Sequence, residues 1–443
     1  MLPGLVERVT RDRPRIETVP SCVSYSAHLS ARSEYAPCAV DTVTGGAALG
    51  DHDKARAAAL GEAVERYCGN AVPPTLPITS HRRLGRAGRP AVDPREFALY
   101  SPSQYARRAF PFAAMTPDLE IAWVPGRDLT DGGEVLVPAS LAYVNYFRGP
   151  HSAEPATNYP LLAGTAAGPG PEQAQRAALE EVLERDAVTV WWLSGAPATA
   201  LVPEPGGPVA AAAEEARAAG LRVTFLRIPS TFDITVAGAF IEDPARHLVA
   251  FGSACRATAE ASAAKALTEA VGMHETGLEL LDHDGDFWSG VRAGRHSRRP
   301  YRPHRRDRAY RDDFRSDLRD INDVRLHMQF HLDPRTQGPR LDRLRAPGTS
   351  RPRTPASTGG TEGLVRQLTA HGLRAVAVDL TTPDVRAAGL HVARVLVPGL
   401  TCNAPAAFPF LGGRRLYEEP VARGWLPGPL TEDGLVRAPL PFS

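Results

Sequence analysis

The helical phrase ALEEVLER at residues 178–185 has two related copies elsewhere in the chain, and this repeat is the strongest indication of the fold. It occurs as ALGEAVER at 59–66 and as ALTEAVGM at 266–273, where only the first Glu is kept. Residues three or four apart lie on one face of a helix, so each complete copy predicts two carboxylates side by side with an arginine next to them. The repeat therefore predicts three long helices, two of which carry a paired acidic face.

A single copy has an ordinary explanation, since Glu and Arg four residues apart are common surface pairs. Around the first copy, Leu60, Val64 and Tyr67 form an apolar stripe opposite the acids. The second copy differs because the apolar sequence VTVWWL follows it at 188–193 and makes the carboxylate face apolar one turn later. A helix that is apolar on all sides is buried, and buried carboxylates must be paired or bind metal.

Both complete copies follow a segment rich in Gly and Ala, at 44–50 and 163–170. We interpret these segments as loops whose backbone N–H groups can approach an anion at a helix N-terminus. Because Mg²⁺ prefers oxygen ligands and is usually bound through a few carboxylates plus phosphates, the pattern favours a nucleotide–metal site. The sequence contains no standard nucleotide motif: Asp51 and His52 stand where a phosphate loop requires Lys and Ser or Thr.

The bulk composition excludes several classes of protein. The chain has 443 residues, 43% of them hydrophobic and 23% charged, with a net charge of +1, which gives no reason to expect nucleic acid or a membrane surface as a partner. Its apolar runs are too short to span a bilayer, and residues 1–20 lack the apolar core of a signal peptide. Five cysteines without a Cys-x-x-Cys pair fit reduced thiols, so we expect a cytoplasmic protein.

Strand and helix patterns are interspersed along the chain, and several strands follow one another directly between 223 and 252. We therefore predict an α+β fold with mostly antiparallel sheets. Residues 1–41 are expected to be a lead-in, and residues 42–443 a single domain. This domain contains an arginine-rich insertion at about 291–358, which we interpret as solvated and partly mobile rather than as a basic channel. A proline-containing tail at 438–443 ends the chain.

Several motifs, in the same order along the chain, resemble those of the YcaO superfamily. Besides the three helical phrases they include GTAAGP at 164–169, LERDA at 183–187, DLTTPD at 379–384 and RVLVPGL at 394–400. The resemblance is closest to the azoline-forming cyclodehydratases of ribosomal peptide natural products and covers nearly the whole chain from about Thr42. It implies a YcaO-type fold, with sheets and helices packed around a central nucleotide site.

The resemblance also implies an activity. In such ATP-dependent peptide heterocyclases, a Cys, Ser or Thr side chain of a precursor peptide adds to a backbone amide, whose oxygen takes the γ-phosphoryl group of ATP. Loss of phosphate then leaves a thiazoline or oxazoline, the precursors of thiazoles and oxazoles. Phosphoryl transfer of this kind needs mainly positioning and charge neutralisation, which agrees with a site made of carboxylates and arginines.

Carried over residue by residue, the resemblance assigns the ATP and Mg²⁺ site to Glu62, Glu65, Arg66, Glu181, Glu184, Arg185 and Glu269. Four of these, Glu62, Glu65, Glu181 and Glu184, are expected to bind Mg²⁺. The family's tail enters its active site, so Pro439, Pro441 and Ser443 are expected to dock there and take part in catalysis.

The chain departs from the family pattern at four positions where relatives usually carry Lys, Ser, Asn and Gln, namely Ala47, Ala58, Ala163 and Gly272. These substitutions motivate one alternative, a degenerate scaffold that only docks precursor and partner. A second alternative also stays open: thioamide or amidine formation by the same activation chemistry with a different nucleophile.

The implied partners are the precursor peptide and a separate leader-peptide-binding protein of the adenylating-enzyme-like or winged-helix type, because the lead-in is too short to be either. A flavin azoline dehydrogenase is a further partner if the rings are oxidised. We expect a homodimer or a part of a hetero-oligomer.

Overall fold

A computed structural model describes residues 5–30, 42–294, 300–349 and 359–442. Its strands are β1 (Val6–Arg11), β2 (Cys22–Leu29), β3 (Val43–Leu49), β4 (Ile78–Thr79), β5 (Ile121–Asp128), β6 (Glu134–Pro138), β7 (Thr165–Gly168), β8 (Thr199–Ala200), β9 (Arg222–Ile228), β10 (Val236–Asp243), β11 (Leu248–Cys255), β12 (Val376–Asp379) and β13 (His391–Leu396).

The helices are α1 (His52–Gly69), α2 (His81–Arg86), α3 (Pro102–Tyr105), α4 (Ala139–Ala142), α5 (Pro171–Ser194), α6 (Pro208–Ala218), α7 (Ala259–Leu281), α8 (Asp286–Arg292), α9 (Arg325–His331), α10 (Asp342–Arg345), α11 (Gly360–Ala370), α12 (Pro383–Ala387) and α13 (Arg415–Ala422). The three predicted Glu-bearing helices are α1, α5 and α7. Among the helices described, none is long and apolar enough to cross a membrane.

The strands form three sheets. Their orders are β1-β2-β3, β11-β10-β9-β8 and β4-β5-β12-β13-β7, with β6 pairing β5 in the last. Within the described residues every pair of named strands is antiparallel. This confirms the predicted α+β fold with mostly antiparallel sheets. Strands β1 and β2, from the expected lead-in, share a sheet with β3, which leads into the first Glu-bearing helix.

The two segments rich in Gly and Ala are strands rather than loops, so that prediction is wrong. Most of the first segment is β3, which pairs with β2, and the middle half of the second is β7, which pairs with β13. A side chain at Gly46 would collide with the backbone of Ala59 in α1, and one at Gly252 would collide with α7. The small residues therefore allow strands and helices to pack closely, rather than an anion to approach.

Helix α5 lies at the centre of the molecule, as its apolar continuation predicts. It packs against β7, β11, β13, α11 and α13, and Leu179, Leu183, Val188 and Trp191 along it are buried. Because neighbours cover this part of the helix, Glu184 is held inside the protein at 3% exposure, whereas Glu181 is partly exposed.

The described part of the arginine-rich insertion, 300–349, is packed rather than solvated, so that interpretation is wrong for these residues. Tyr310 and Ile321 are fully buried in the core that also contains α7. Its arginines mostly pair with nearby aspartates, as Arg325 does with Asp323 at 2.9 Å. This pairing offsets much of the positive charge that a basic channel would require. Residues 295–299 and 350–358 lie outside the described residues.

Candidate functional site

The candidate site lies where the outer strands of three sheets meet. Strands β3, β7 and β11 are each the last strand of their sheet, and each is followed in the chain by a Glu-bearing helix. Helix α1 also packs against β7, α5 against β11, and α7 against β3, so the three strand–helix units close a ring. An outer strand leaves backbone N–H groups unpaired. The ring therefore brings free donors to the acidic faces of the helices.

The first acidic pair binds two of these strand edges. Glu62 accepts a hydrogen bond from the Gly45 N–H at 3.1 Å, and its other carboxylate oxygen accepts one from Arg66 at 3.1 Å. Glu65 reaches the next unit, where the Ala167 N–H donates to it at 2.8 Å. One acid thus binds the strand of its own unit and the other binds the strand of the following unit.

The second pair repeats the arrangement. Glu181 accepts from the N–H of Gly164, just before β7, at 2.8 Å. Glu184 accepts from the Cys255 N–H of β11 at 3.2 Å and from the Ser253 hydroxyl at 2.7 Å. Sequence reasoning missed Ser253 and Cys255, because nothing in their local pattern indicates a carboxylate 70 residues earlier in the chain.

The third unit is incomplete. Glu269 forms an ion pair with Lys265 at 3.2 Å, and Gly272 occupies the position that corresponds to the second acid. A Cβ atom at Gly272 would meet nothing within 4 Å. The ring therefore has a gap where the other two units present a carboxylate to the next strand.

The five carboxylates form one electrostatic group. Burial raises the pKa of Glu65 to about 8. The hydrogen bond from the Ala167 N–H acts to lower this pKa, whereas the charges of Glu181 and Glu62 act to raise it. Burial also raises the pKa of Glu184, together with the charges of Glu269 and Glu181, against the attraction of Arg185. All the acids that the sequence predicts are thus brought together, and their mutual repulsion favours a bound cation.

Arg185 lies between the second acidic pair and the C-terminal tail. Its guanidinium forms ion pairs with Glu181 and Glu184, both at 3.6 Å, and stacks over the Phe442 ring with its central carbon 4.6 Å from the ring centre. Its Nε and Nη1 atoms are buried without a hydrogen-bond partner among the described residues. Buried N–H groups of a guanidinium require hydrogen-bond acceptors, and phosphate oxygens are well suited to a charged guanidinium.

A cavity of about 60 Å³ opens beside Arg185, and two residues that sequence reasoning did not select line it. Arg394, from the RVLVPGL motif, is 1% exposed and donates to the Thr165 hydroxyl at 2.9 Å. Burial lowers its pKa to about 10 and raises the pKa of Cys402 to about 11, so the thiol is neutral near pH 7. A second cavity of about 70 Å³ shares Cys402 with the first and is lined by the tail.

The donor set fits Mg²⁺ held together with phosphates. In the described part of the chain, no group of three or more His, Cys, Asp or Glu side chains is arranged as a preformed metal centre. Mg²⁺ does not require one, because it is usually bound through one or two carboxylates while water and substrate phosphates supply the remaining ligands. The carboxylate pairs and the unsatisfied donors of Arg185 are suited to that mode of binding.

The C-terminal tail packs beside the acidic group and Arg185. The indole N–H of Trp192 donates to the Ala438 carbonyl at 2.7 Å, and the Phe251 N–H donates to the Pro441 carbonyl at 2.9 Å. Leu440 and Phe442 are buried. The structure therefore places Pro439 and Pro441 in the protein interior, whereas Ser443 lies outside the described residues.

Asp186, the residue after Arg185, has a structural partner instead. It accepts hydrogen bonds from Arg415 at 2.9 and 2.7 Å and from the Thr401 N–H at 3.1 Å, and it is 1% exposed. The LERDA motif thus combines site residues with a buried ion pair that ties α5 to α13.

Paired carboxylates between three sheet edges, next to a buried arginine with unsatisfied N–H groups, form a site suited to a cation held together with phosphates. The chain belongs to the YcaO family: residues 48–401 match the family described as YcaO cyclodehydratase, ATP- and Mg²⁺-binding. No curated protein is significantly similar to the chain.

Three solved structures show the same fold. A heterocyclase in complex with substrate and cofactor has 21% identity and a TM-score of 0.67, over 99% of this chain and 55% of that one. The heterocyclase TruD has 22% identity and a TM-score of 0.58, over 87% and 50%. YcaO from Methanopyrus kandleri, bound with AMPPCP and Mg²⁺, has 21% identity and a TM-score of 0.55, over 90% and 86%. The chain spans about half the length of the two heterocyclases.

Proposed function

We propose that this protein is an ATP-dependent peptide heterocyclase, which converts Cys, Ser or Thr residues of a ribosomally made precursor peptide into thiazolines or oxazolines. The observation that carries the proposal is the ring of five carboxylates beside Arg185, in a chain of the YcaO family. The resemblance of the sequence to azoline-forming members, and the likeness of the fold to two heterocyclases, support the choice of reaction.

The proposed reaction removes one water from the peptide for each ring. The nucleophilic side chain forms a bond to the carbon of the preceding backbone amide, and the former carbonyl oxygen leaves. When bound, Mg-ATP supplies the γ-phosphoryl group that makes this oxygen a phosphate leaving group, so the by-products are ADP and phosphate. The proton of the side chain and the proton of the amide nitrogen are both released.

The residues of the ring have distinct roles in this proposal. Glu62, Glu65, Glu181 and Glu184 hold Mg²⁺, and Glu269 completes the acidic group. Arg66 orients the first acidic pair through Glu62. Arg185 donates its unsatisfied N–H groups to phosphate oxygens, where a charge-assisted bond is strongest. The enclosed position of Glu184 on α5 keeps bulk water away from this carboxylate, which strengthens its interactions.

We propose that the tail contributes to catalysis through Pro439, Pro441 and Ser443, with the prolines fixing the path of the chain end. Support comes from the stacking of Phe442 under Arg185, which brings the last described residue to the edge of the acidic group.

A separate leader-binding protein and, for oxidised rings, a flavin azoline dehydrogenase are the proposed partners, in a homodimer or hetero-oligomer. The four cysteines that the structure describes are free thiols, which supports a cytoplasmic location.

Mass spectrometry tests the proposal. The protein is incubated with Mg-ATP, the precursor peptide encoded beside it and the candidate partner, and both the peptide mass and ADP are measured. We expect a loss of one water mass per modified residue together with ADP formation. Replacement of oxygen by sulfur would instead establish thioamide formation. If neither a mass change nor ADP is detected, the scaffold alternative is supported. The gap at Gly272 is the structural observation that motivates this alternative.

A further inference from the structure

Helix α9, in the arginine-rich segment, lies against the C-terminal tail. Two histidines, His327 and His331, are one turn apart on this helix, and both are buried. The Nε2 atom of His331 lies 2.8 Å from the Pro439 carbonyl oxygen. Because a carbonyl only accepts, this nitrogen must carry the proton and donate. His331 is thus a direct side-chain contact to the tail backbone, at one of its prolines.

His327 lies beside a second point of the same tail. Its Nε2 atom accepts from the Ala406 N–H at 3.2 Å, which leaves Nδ1 as the donor, and the ring faces the backbone of Phe442. The side chain also lines the 70 Å³ cavity together with Leu440 and Phe442. The two imidazoles therefore meet tail residues three apart.

The helix that carries these histidines is itself firmly held. Gln329 exchanges two hydrogen bonds with the backbone of Arg302, at 2.7 and 2.9 Å. The neighbouring Asp333 binds Arg335 and the Arg311 N–H. Since α9 is fixed on its outer side and contacts the tail on its inner side, it can act as a rigid support for the chain end.

We propose that His331, assisted by His327, is a positioning residue that holds the C-terminal tail in register, so that the chain end reaches Arg185 and the acidic pair on α5. The inference rests on the proposed function, in which the tail takes part in catalysis. The register matters because Phe442, the last described residue, already stacks under Arg185. A tail released from α9 would remove its end from this position.

Proteolysis tests the contact without relying on any activity. Full-length His331→Ala is digested with carboxypeptidase Y, and the loss of C-terminal residues is followed by intact mass. Loss of this buried hydrogen bond should accelerate digestion by roughly 5-fold to 150-fold. His331→Gln, which can still donate to the carbonyl, should digest at nearly the wild-type rate. Equal rates for His331→Ala and wild type would overturn the inference.

His304 provides a matched control, since its Nε2 atom also lies near a backbone carbonyl, that of Leu281 at 3.2 Å. His304→Ala should leave the rate of tail digestion unchanged. Acceleration in this variant as well would show that general loosening, not the contact to Pro439, exposes the tail, and would overturn the inference.

Kinetics then separate positioning from folding. His331→Ala should lower kcat for ring formation by about tenfold while the KM for ATP stays unchanged, and His331→Gln should restore it. Faster digestion with an unchanged kcat would overturn the positioning role. If wild-type protein forms no rings but His331→Ala still releases its tail faster, the proposed function fails while the contact to the tail stands.

Discussion

Glu184 offers the sharpest single-residue test, because it is both the most buried of the proposed metal ligands and the best bonded. In Glu184→Gln the side chain keeps its shape and loses its charge. Its oxygen can still accept from either Ser253 or Cys255, but its amide nitrogen cannot accept from the other.

The expected stability change is small because two effects oppose each other. Losing one hydrogen bond to a charged group costs about 1.5–3 kcal/mol. Removing a buried charge that repels Glu181 and Glu269 offsets part of this cost. The unfolding free energy should therefore change by no more than about 2 kcal/mol. By contrast, the loss of a metal ligand removes several kcal/mol of charge stabilisation, which corresponds to a fall of at least about 100-fold in turnover.

The assay measures ADP formation and ring formation at saturating Mg-ATP, alongside urea denaturation. Glu180→Gln is the matched control, because Glu180 is a buried acid on the same helix that pairs with Arg176 at 3.1 Å rather than with the ring. We expect Glu180→Gln to retain turnover and Glu184→Gln to lose it with the fold intact. Wild-type turnover in Glu184→Gln, or equal losses in both variants, would refute the metal assignment.

Three other perturbations follow from the same contacts. Asp186→Ala removes the closest carboxylate from the buried Arg415, which keeps only Glu419 at 3.6 Å as an ion-pair partner among the described residues, so the unfolding free energy should fall by about 3 kcal/mol; an unchanged denaturation midpoint would contradict this. Gly272→Gln should raise the unfolding free energy by about 0.5–1 kcal/mol, because the position is open and Gly is the poorer helix former; a lower unfolding free energy in urea denaturation would contradict this. Burial lowers the pKa of His327 and His331 to about 4, so between pH ~6.5 and ~4 the unfolded chain binds more protons and stability falls with falling pH. Replacing both with Gln should make denaturation midpoints less dependent on pH in this window, and an equal dependence would contradict the argument.

Local patterns predicted much of the framework. The apolar sequence after Asp186 correctly indicated a buried α5, and the repeated Glu spacing placed all five acids on faces that converge. These features depend on residues close in sequence, since helix periodicity fixes which side chains share a face. They could therefore be predicted without knowing the tertiary arrangement.

Features that depend on distant partners could not be predicted in this way. β3 and β7 contain residues with weak strand preference and form only because β2 and β13 supply hydrogen bonds and the helices require small side chains. The arginine-rich segment looked solvated because its charges were counted without their Asp partners. His327 and His331 are four residues apart, which in a helix places them on one face. That they face the tail could not be predicted, because the contact requires the docked position of Pro439.

In the proposed reaction ATP activates a backbone amide oxygen, and an isotope experiment can follow that oxygen atom. A precursor peptide is synthesised with ¹⁸O in the amide carbonyl before a modified residue and is incubated with the protein, its partner and Mg-ATP. We expect the released phosphate to contain the ¹⁸O as each ring forms. Ring formation with unlabelled phosphate, and with the ¹⁸O recovered in water, would contradict this expectation.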